Sequence, residues 1–265
     1  MRLCTFLDAG RTRLGRVDGD LVQPLDGRDV RDALVEMPGP VGSPVPLAGL
    51  ELAPPLIPGK LLGVGWNYSD HAREMGGTVP DQPLIFSKLV SSIVGPAGPV
   101  IRPDYTDELD YEAELAVVIG ATARDVAPER ALDHVFGYAV MDDVSARDLQ
   151  RSEPQWVRAK GGDTFGPFGP WVTTADEVPD PQALLVRSWV NGEPRQDATT
   201  ADMIFPVAVL VSWCSRNFTL APGDVIATGT PPGVGNGRTP PVFLEPGDRV
   251  RIEVERLGAI EHAIR

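Results

Sequence analysis

Leu109-Asp-Tyr-Glu-Ala-Glu-Leu-Ala-Val-Val-Ile119 is the stretch from which the rest of the chain is read. Its second half, Ala116 to Ile119, is apolar at every position, which predicts a strand covered on both faces. Its first half carries Glu112 and Glu114, and the two-residue repeat of a strand places both carboxylates on one face. A solvated sheet face accounts for Glu-x-Glu taken alone. The apolar continuation argues against an exposed ribbon, and two carboxylates buried without partners are costly. A divalent cation would neutralise the pair.

Working outward, Gly137-Tyr-Ala-Val-Met-Asp-Asp143 reads as a second strand that ends in Val-Ser-Ala-Arg-Asp-Leu-Gln150, and strand ends are where loops place functional groups. A third acid is therefore available. The only cysteines are Cys4 and Cys214, with no paired metal knuckle. Three carboxylate oxygens favour a hard ion, Mg²⁺ or Mn²⁺, over Zn²⁺.

The chain has 265 residues, 42% of them hydrophobic, enough for one large domain or one with a small appendage. Its net charge of −13 argues against nucleic acid or an anionic membrane as the main partner. The first residues lack an apolar core segment, so neither a signal peptide nor a membrane span is expected, and the location expected is cytoplasmic. With 28 Gly and 27 Pro falling between alternating apolar runs, helices must be few and short, and the class predicted is α+β, rich in β structure. Leu52-Ala-Pro-Pro-Leu-Ile-Pro-Gly59 cannot form a helix or a central strand. It separates a small N-terminal β-rich module, residues 1–55, from a main domain, residues 56–265. In the main domain helices are predicted only over Ser69–Met75, with Ser69 as N-cap, Pro128–His134 and Phe205–Arg216.

His71 and Glu74 lie three apart and share a face if their segment is helical. A surface histidine beside a salt-bridging glutamate is one account of them, and a carboxylate-oriented general base is the other. Gly65 and Gly76-Gly77 bound the segment, which predicts a mobile lid over residues 67–80. Thr228-Gly-Thr230 offers hydroxyls and backbone N–H groups that suit a substrate carboxylate. Lysine occurs only at Lys60, Lys88 and Lys160 against 21 arginines, which lends each retained ammonium some weight.

Taken in order, Gly65-Trp-Asn-Tyr-Ser-Asp-His71, Asp110-Tyr-Glu-Ala-Glu-Leu115, Asp142-Asp-Val-Ser-Ala-Arg-Asp-Leu-Gln150, Lys160-Gly-Gly-Asp-Thr-Phe-Gly-Pro167, Asp202-Met-Ile-Phe205 and Thr228-Gly-Thr-Pro resemble the fumarylacetoacetate hydrolase family, in particular its short bacterial members. The resemblance implies a mixed β-roll core, a homodimer, and Mg²⁺ or Mn²⁺ held by Glu112, Glu114 and Asp143. It implies catalytic roles for His71, Glu74 and Lys160, and contacts from Arg147, Gln150 and Thr230 to substrate oxygens. Gly161-Gly162, bulkier in many relatives, implies a roomier pocket. The activity implied is on a 2-oxo acid with a second carbonyl or carboxylate at C4, cleaved between C3 and C4 through a metal-stabilised enolate. Alternatives are enol–keto isomerisation or hydration of related dienoates, or a non-catalytic metal- or ligand-binding relative that keeps the fold, which the intact His71, Glu74 and Lys160 weigh against.

Overall fold

The computed structural model describes residues 1–265. Ala113–Ile119 is a strand at the centre of a large mixed sheet, paired antiparallel with Val135–Asp142 on one side and Val225–Ala227 on the other. Its odd residues, from Ala113 to Ile119, join one core together with Tyr138 and Val140 of the neighbouring strand. Its even residues Ala116 and Val118 join a second core with Ala139 and Met141. Both faces are thus covered, which is why the sequence shows an unbroken apolar run here. Glu112, one residue before the ladder begins, and Glu114 continue the even face beyond the second core into a polar chamber.

Beyond Val225–Ala227 the sheet continues through Leu61–Gly65, in parallel, and ends at the edge strand Leu84–Lys88, antiparallel. In the other direction it passes through Gly166–Thr174 to Arg2–Asp8, Arg11–Asp18, Leu21–Pro24 and Val45–Pro46. A separate antiparallel sheet of four strands, Glu193–Thr199, Leu185–Val190, Arg249–Val254 and Gly258–Ala263, packs against the first core. The class is the β-rich α+β predicted.

The helix Val207–Asn217 buries Val207, Leu210, Val211 and Cys214 on one face. Two helices that the sequence reading did not anticipate, Arg147–Ser152 and Val157–Lys160, flank the polar chamber. Their sequences are short and polar, and tertiary contacts rather than periodicity hold them. Glu193–Thr199 and Gly258–Ala263 also went unpredicted. Glu-Pro-Arg-Gln-Asp-Ala-Thr at the edge of its sheet has few apolar residues to alternate. Ser69 is the first helical residue of Ser69–Glu74 and not its cap; Tyr68 stands at the cap position without a side-chain bond. No helix is long and apolar enough to cross a membrane. Cys4 and Cys214 are buried and unpaired.

Candidate active site

Two neighbouring strand ends bring three acids together. Glu112 and Glu114 enter from the start of the central strand, and Asp143 directly follows Val135–Asp142. One carboxylate oxygen from each of the three lies within 4.8 Å of the others, and all three residues are buried. The spacing is locked by the backbone: Asp143 N–H donates to the Glu112 carbonyl at 3.0 Å, and Asp142 Oδ1 accepts from Glu112 N–H at 2.8 Å. Asp142 is held in turn by His262 Nε2 at 2.8 Å, a contact that ties the last strand of the small sheet to the site.

Cations surround two of the three acids. Lys160, closing the helix Val157–Lys160, places Nζ 2.5 Å from Glu112 Oε2 and 2.9 Å from Asp143 Oδ2. Lys88, from the edge strand, reaches Asp143 Oδ1 at 2.6 Å and also donates to the Lys160 carbonyl. Arg147 Nη1 lies 2.7 Å from Glu112 Oε1 and donates to Gln150 Oε1 at 2.9 Å. Burial opposes ionisation of Glu112, yet Lys160, Arg147 and His71 together hold its carboxyl down at about 2. Glu114 has no such company. Its Oε2 accepts the Gly229 N–H at 2.9 Å, while Oε1 is buried without a partner. Burial, reinforced by the like charges of Asp143 and Glu112, keeps its carboxyl well above the usual carboxylate range.

Such a donor set fits a hard divalent ion. All three ligands are oxygen, the unpartnered Glu114 Oε1 is one that an ion would satisfy, and Lys160 already places a positive charge against two of them. Arg147 Nη2 is a second buried polar atom without a partner, and a bound anion would supply one.

His71 and Glu74 come together on the helix Ser69–Glu74, with Nδ1 3.2 Å from Glu74 Oε2. His71 is only 3% exposed. The segment predicted as a lid is docked here. Glu74 accepts from the Gly233 N–H at 2.9 Å, and the buried Asn67 side chain bonds the Thr228 carbonyl and both backbone groups of Phe205. Gln150 stays half-buried beside Arg147. Thr230 is buried and its hydroxyl is engaged by the fold, donating to the Ala113 carbonyl at 3.0 Å and accepting from Gln196 at 2.7 Å. Gly161-Gly162 lines a groove of about 630 Å³ that none of the three acids lines.

Sequence reasoning missed the supports. Asp110, fully buried, binds Arg147 Nε at 2.9 Å and accepts from the N–H groups of Gly235 and Asn236. Lys88 carried only the signal of being one of three lysines.

Residues 60–265 match the family model described as fumarylacetoacetate (FAA) hydrolase C-terminal. The chain belongs to the fumarylacetoacetate hydrolase family. Residues 1–55 match a second model, described as Rv2993c-like, N-terminal. Among relatives of this family is the Xenopus laevis protein named oxaloacetate tautomerase fahd2, mitochondrial, 48% identical over 215 residues, which are 80% of this chain and 67% of that protein. Among solved structures, a fumarylacetoacetate hydrolase from psychrophilic Exiguobacterium antarcticum superimposes with a TM-score of 0.89 at 38% identity, covering 100% of this chain and 99% of that one. The 2-hydroxyhepta-2,4-diene-1,7-dioate isomerase from Mycobacterium marinum gives 0.85 at 36% identity, covering 100% and 98%.

Glu114→Gln tests the electrostatics directly. The folded chain holds the Glu114 proton to higher pH than the unfolded chain does, so this group's contribution to stability falls as pH rises above its ordinary value of 4.5. The metal-free variant is expected to melt a few degrees above wild type at pH 8, with a smaller gain at pH 5. Its affinity for Mn²⁺ by calorimetry is expected to fall by more than roughly tenfold. A variant that melts lower at pH 8, or binds Mn²⁺ as wild type does, contradicts the assignment.

Proposed function

We propose that this enzyme acts on 2-oxo acids bearing a second carbonyl or carboxylate at C4, with Mg²⁺ or Mn²⁺ held by Glu112, Glu114 and Asp143. The observation that carries the proposal is the convergence of those three buried carboxylates beneath the docked His71–Glu74 pair. The ion, when bound, supplies Lewis-acid polarisation of the 2-oxo group. Arg147 meets the substrate's carboxylate with the nitrogen that now lacks a partner, and Gln150 fixes that guanidinium's orientation. Lys160 offsets negative charge as it develops on the substrate oxygens. Thr230 and Gln196 hold the start of the central strand, and so Glu114, in place.

Glu74 orients His71 through Nδ1, which leaves Nε2 to move a proton at the substrate. With a water beside it, His71 acts as general base for hydrolysis across C3–C4; with a C4 carboxylate, loss of CO₂ follows instead. The docked helix limits the number of waters present. Enol–keto isomerisation of the same class of acid is a second reading, favoured by the names of the tautomerase and isomerase relatives. It uses the same proton transfer at C3 without water.

The deciding experiment is a panel of acetylpyruvate and oxaloacetate, in keto and enol forms, assayed with Mg²⁺ or Mn²⁺ and after EDTA. Metal-dependent turnover of at least one is expected. His71→Ala is expected to lower kcat by roughly 10²–10⁴-fold while leaving Mn²⁺ affinity near wild type. Turnover insensitive to EDTA, or parallel loss of metal binding and activity in His71→Ala, contradicts the assigned roles.

The enzyme is further proposed to be a homodimer. Exposed Leu89, Ile101 and Tyr105 border the 630 Å³ groove, an apolar patch that a second copy would cover. Light scattering at micromolar concentration should give twice the chain mass of 28.4 kDa; a single-chain mass contradicts it.

A further inference from the structure

The edge strand Leu84–Lys88 runs from the site to the surface. Leu84, Phe86 and Lys88 share one face of it by the two-residue repeat. Lys88 sits inside the chamber on Asp143, and Leu84 is 39% exposed. Phe86 lies between them, with the Lys160 ammonium 5.2 Å from its ring centroid. Trp156, whose carbonyl accepts the Lys160 N–H at 2.9 Å, packs edge-on to Phe86 at 5.5 Å and to Trp66 at 6.1 Å.

The adjacent strand makes room for these rings. Gly63 and Gly65 stand opposite Phe86 and Leu84 in the ladder. A Cβ on Gly63 would meet the Phe86 ring at 2.2 Å, and one on Gly65 would meet the Trp156 ring at 2.7 Å. The rings therefore lie directly on backbone, and any side chain at either glycine would displace them. Where this track reaches the surface it borders a cavity of about 400 Å³, lined by Leu84 to Ser87 and Pro154 to Val157. None of these lining residues carries a charge, and the half-buried faces of Phe86 and Trp156 form its inner wall.

We propose that Phe86 and Trp156, flanked by Trp66, form a subsite for an aromatic group at the distal end of the substrate, so that the preferred acids are 4-aryl-2,4-dioxobutanoates. The inference rests on the functional reading above and narrows its substrate class. The polar head of such an acid needs the cations and oxygens of the site; its ring needs apolar, flat walls nearby, and Phe86, whose ring lies 5.2 Å from the Lys160 ammonium, borders an uncharged cavity that offers them. A distal carboxylate would meet no cation among the residues lining that cavity and would give up hydration without recompense. Aromatic pairs favour the edge-to-face and offset arrangements already present between Phe86, Trp156 and Trp66, to which a substrate ring would add a further member.

The test compares kcat/KM for benzoylpyruvate and acetylpyruvate in the Mn²⁺-loaded full-length enzyme, wild type and Trp156→Ala, with Trp156→Leu as a milder variant that keeps apolar volume. Benzoylpyruvate is expected to be favoured by roughly tenfold in wild type, the advantage of one buried ring in contact with others. Both variants are expected to lose most of that ratio. In parallel, benzoylpyruvate should quench the tryptophan fluorescence of wild type more strongly than that of Trp156→Ala. Turnover of acetylpyruvate with no preference for the aryl substrate, or a preference that survives both substitutions, overturns the subsite and leaves the functional reading standing. Absence of turnover and of quenching with either acid overturns the functional reading and the subsite together.

Discussion

Three carboxyl groups within 4.8 Å of one another, cut off from water, would if all ionised repel each other by about 3–4 kcal/mol per pair at an effective dielectric near 20. The surroundings of the site answer that repulsion. Lys160, Lys88 and Arg147 pair with Glu112 and Asp143, Arg147 also with Asp110, and all three are themselves buried, so these contacts offset their own desolvation. Glu114 is left with one backbone N–H. The asymmetry marks Glu114 as the carboxyl of the three that the fold itself leaves least compensated, and a bound cation could compensate it.

The same constraint accounts for the outer layer. A buried guanidinium must be fixed on several sides, and Asp110 fixes Arg147 while anchoring the loop that also holds Glu74 through Gly233. The His71–Glu74 pair and the Glu112 end of the site are therefore joined through one loop and one aspartate. On the opposite side, Asp142 and His262 fix the distance between Glu112 and Asp143. The bonds of Asp110 to Gly235, of Asp142 to His262 and of Glu74 to Gly233 each join segments more than a hundred residues apart. Their convergence depends on the mixed sheet bringing the ends of two neighbouring strands to one place.

That dependence also sets what the sequence could reveal. Glu112 and Glu114 are legible because two-residue alternation is local, and the strands around them are legible because both faces are apolar. His71 and Glu74 are legible for the same reason at helical spacing. Asp110 looks like any polar residue before a strand, and Lys88 like the end of one, because their partners Arg147 and Asp143 lie 37 and 55 positions away. The helices Arg147–Ser152 and Val157–Lys160 carry too few apolar residues to show a period, although they hold Arg147, Gln150 and Lys160 in place. Glu193–Thr199 was hidden by its edge position, and Gln196 within it braces Ala113 and Thr230.

The central claim, that this acidic cluster is built around a single divalent ion, is tested most directly by anomalous diffraction from crystals equilibrated with Mn²⁺. One strong anomalous peak per chain, in contact with Glu112, Glu114 and Asp143, with the Lys160 ammonium displaced from its present place between Glu112 and Asp143, is the predicted result. An anomalous map with no peak among the three carboxylates at saturating Mn²⁺, Lys160 still bridging Glu112 and Asp143, would contradict it.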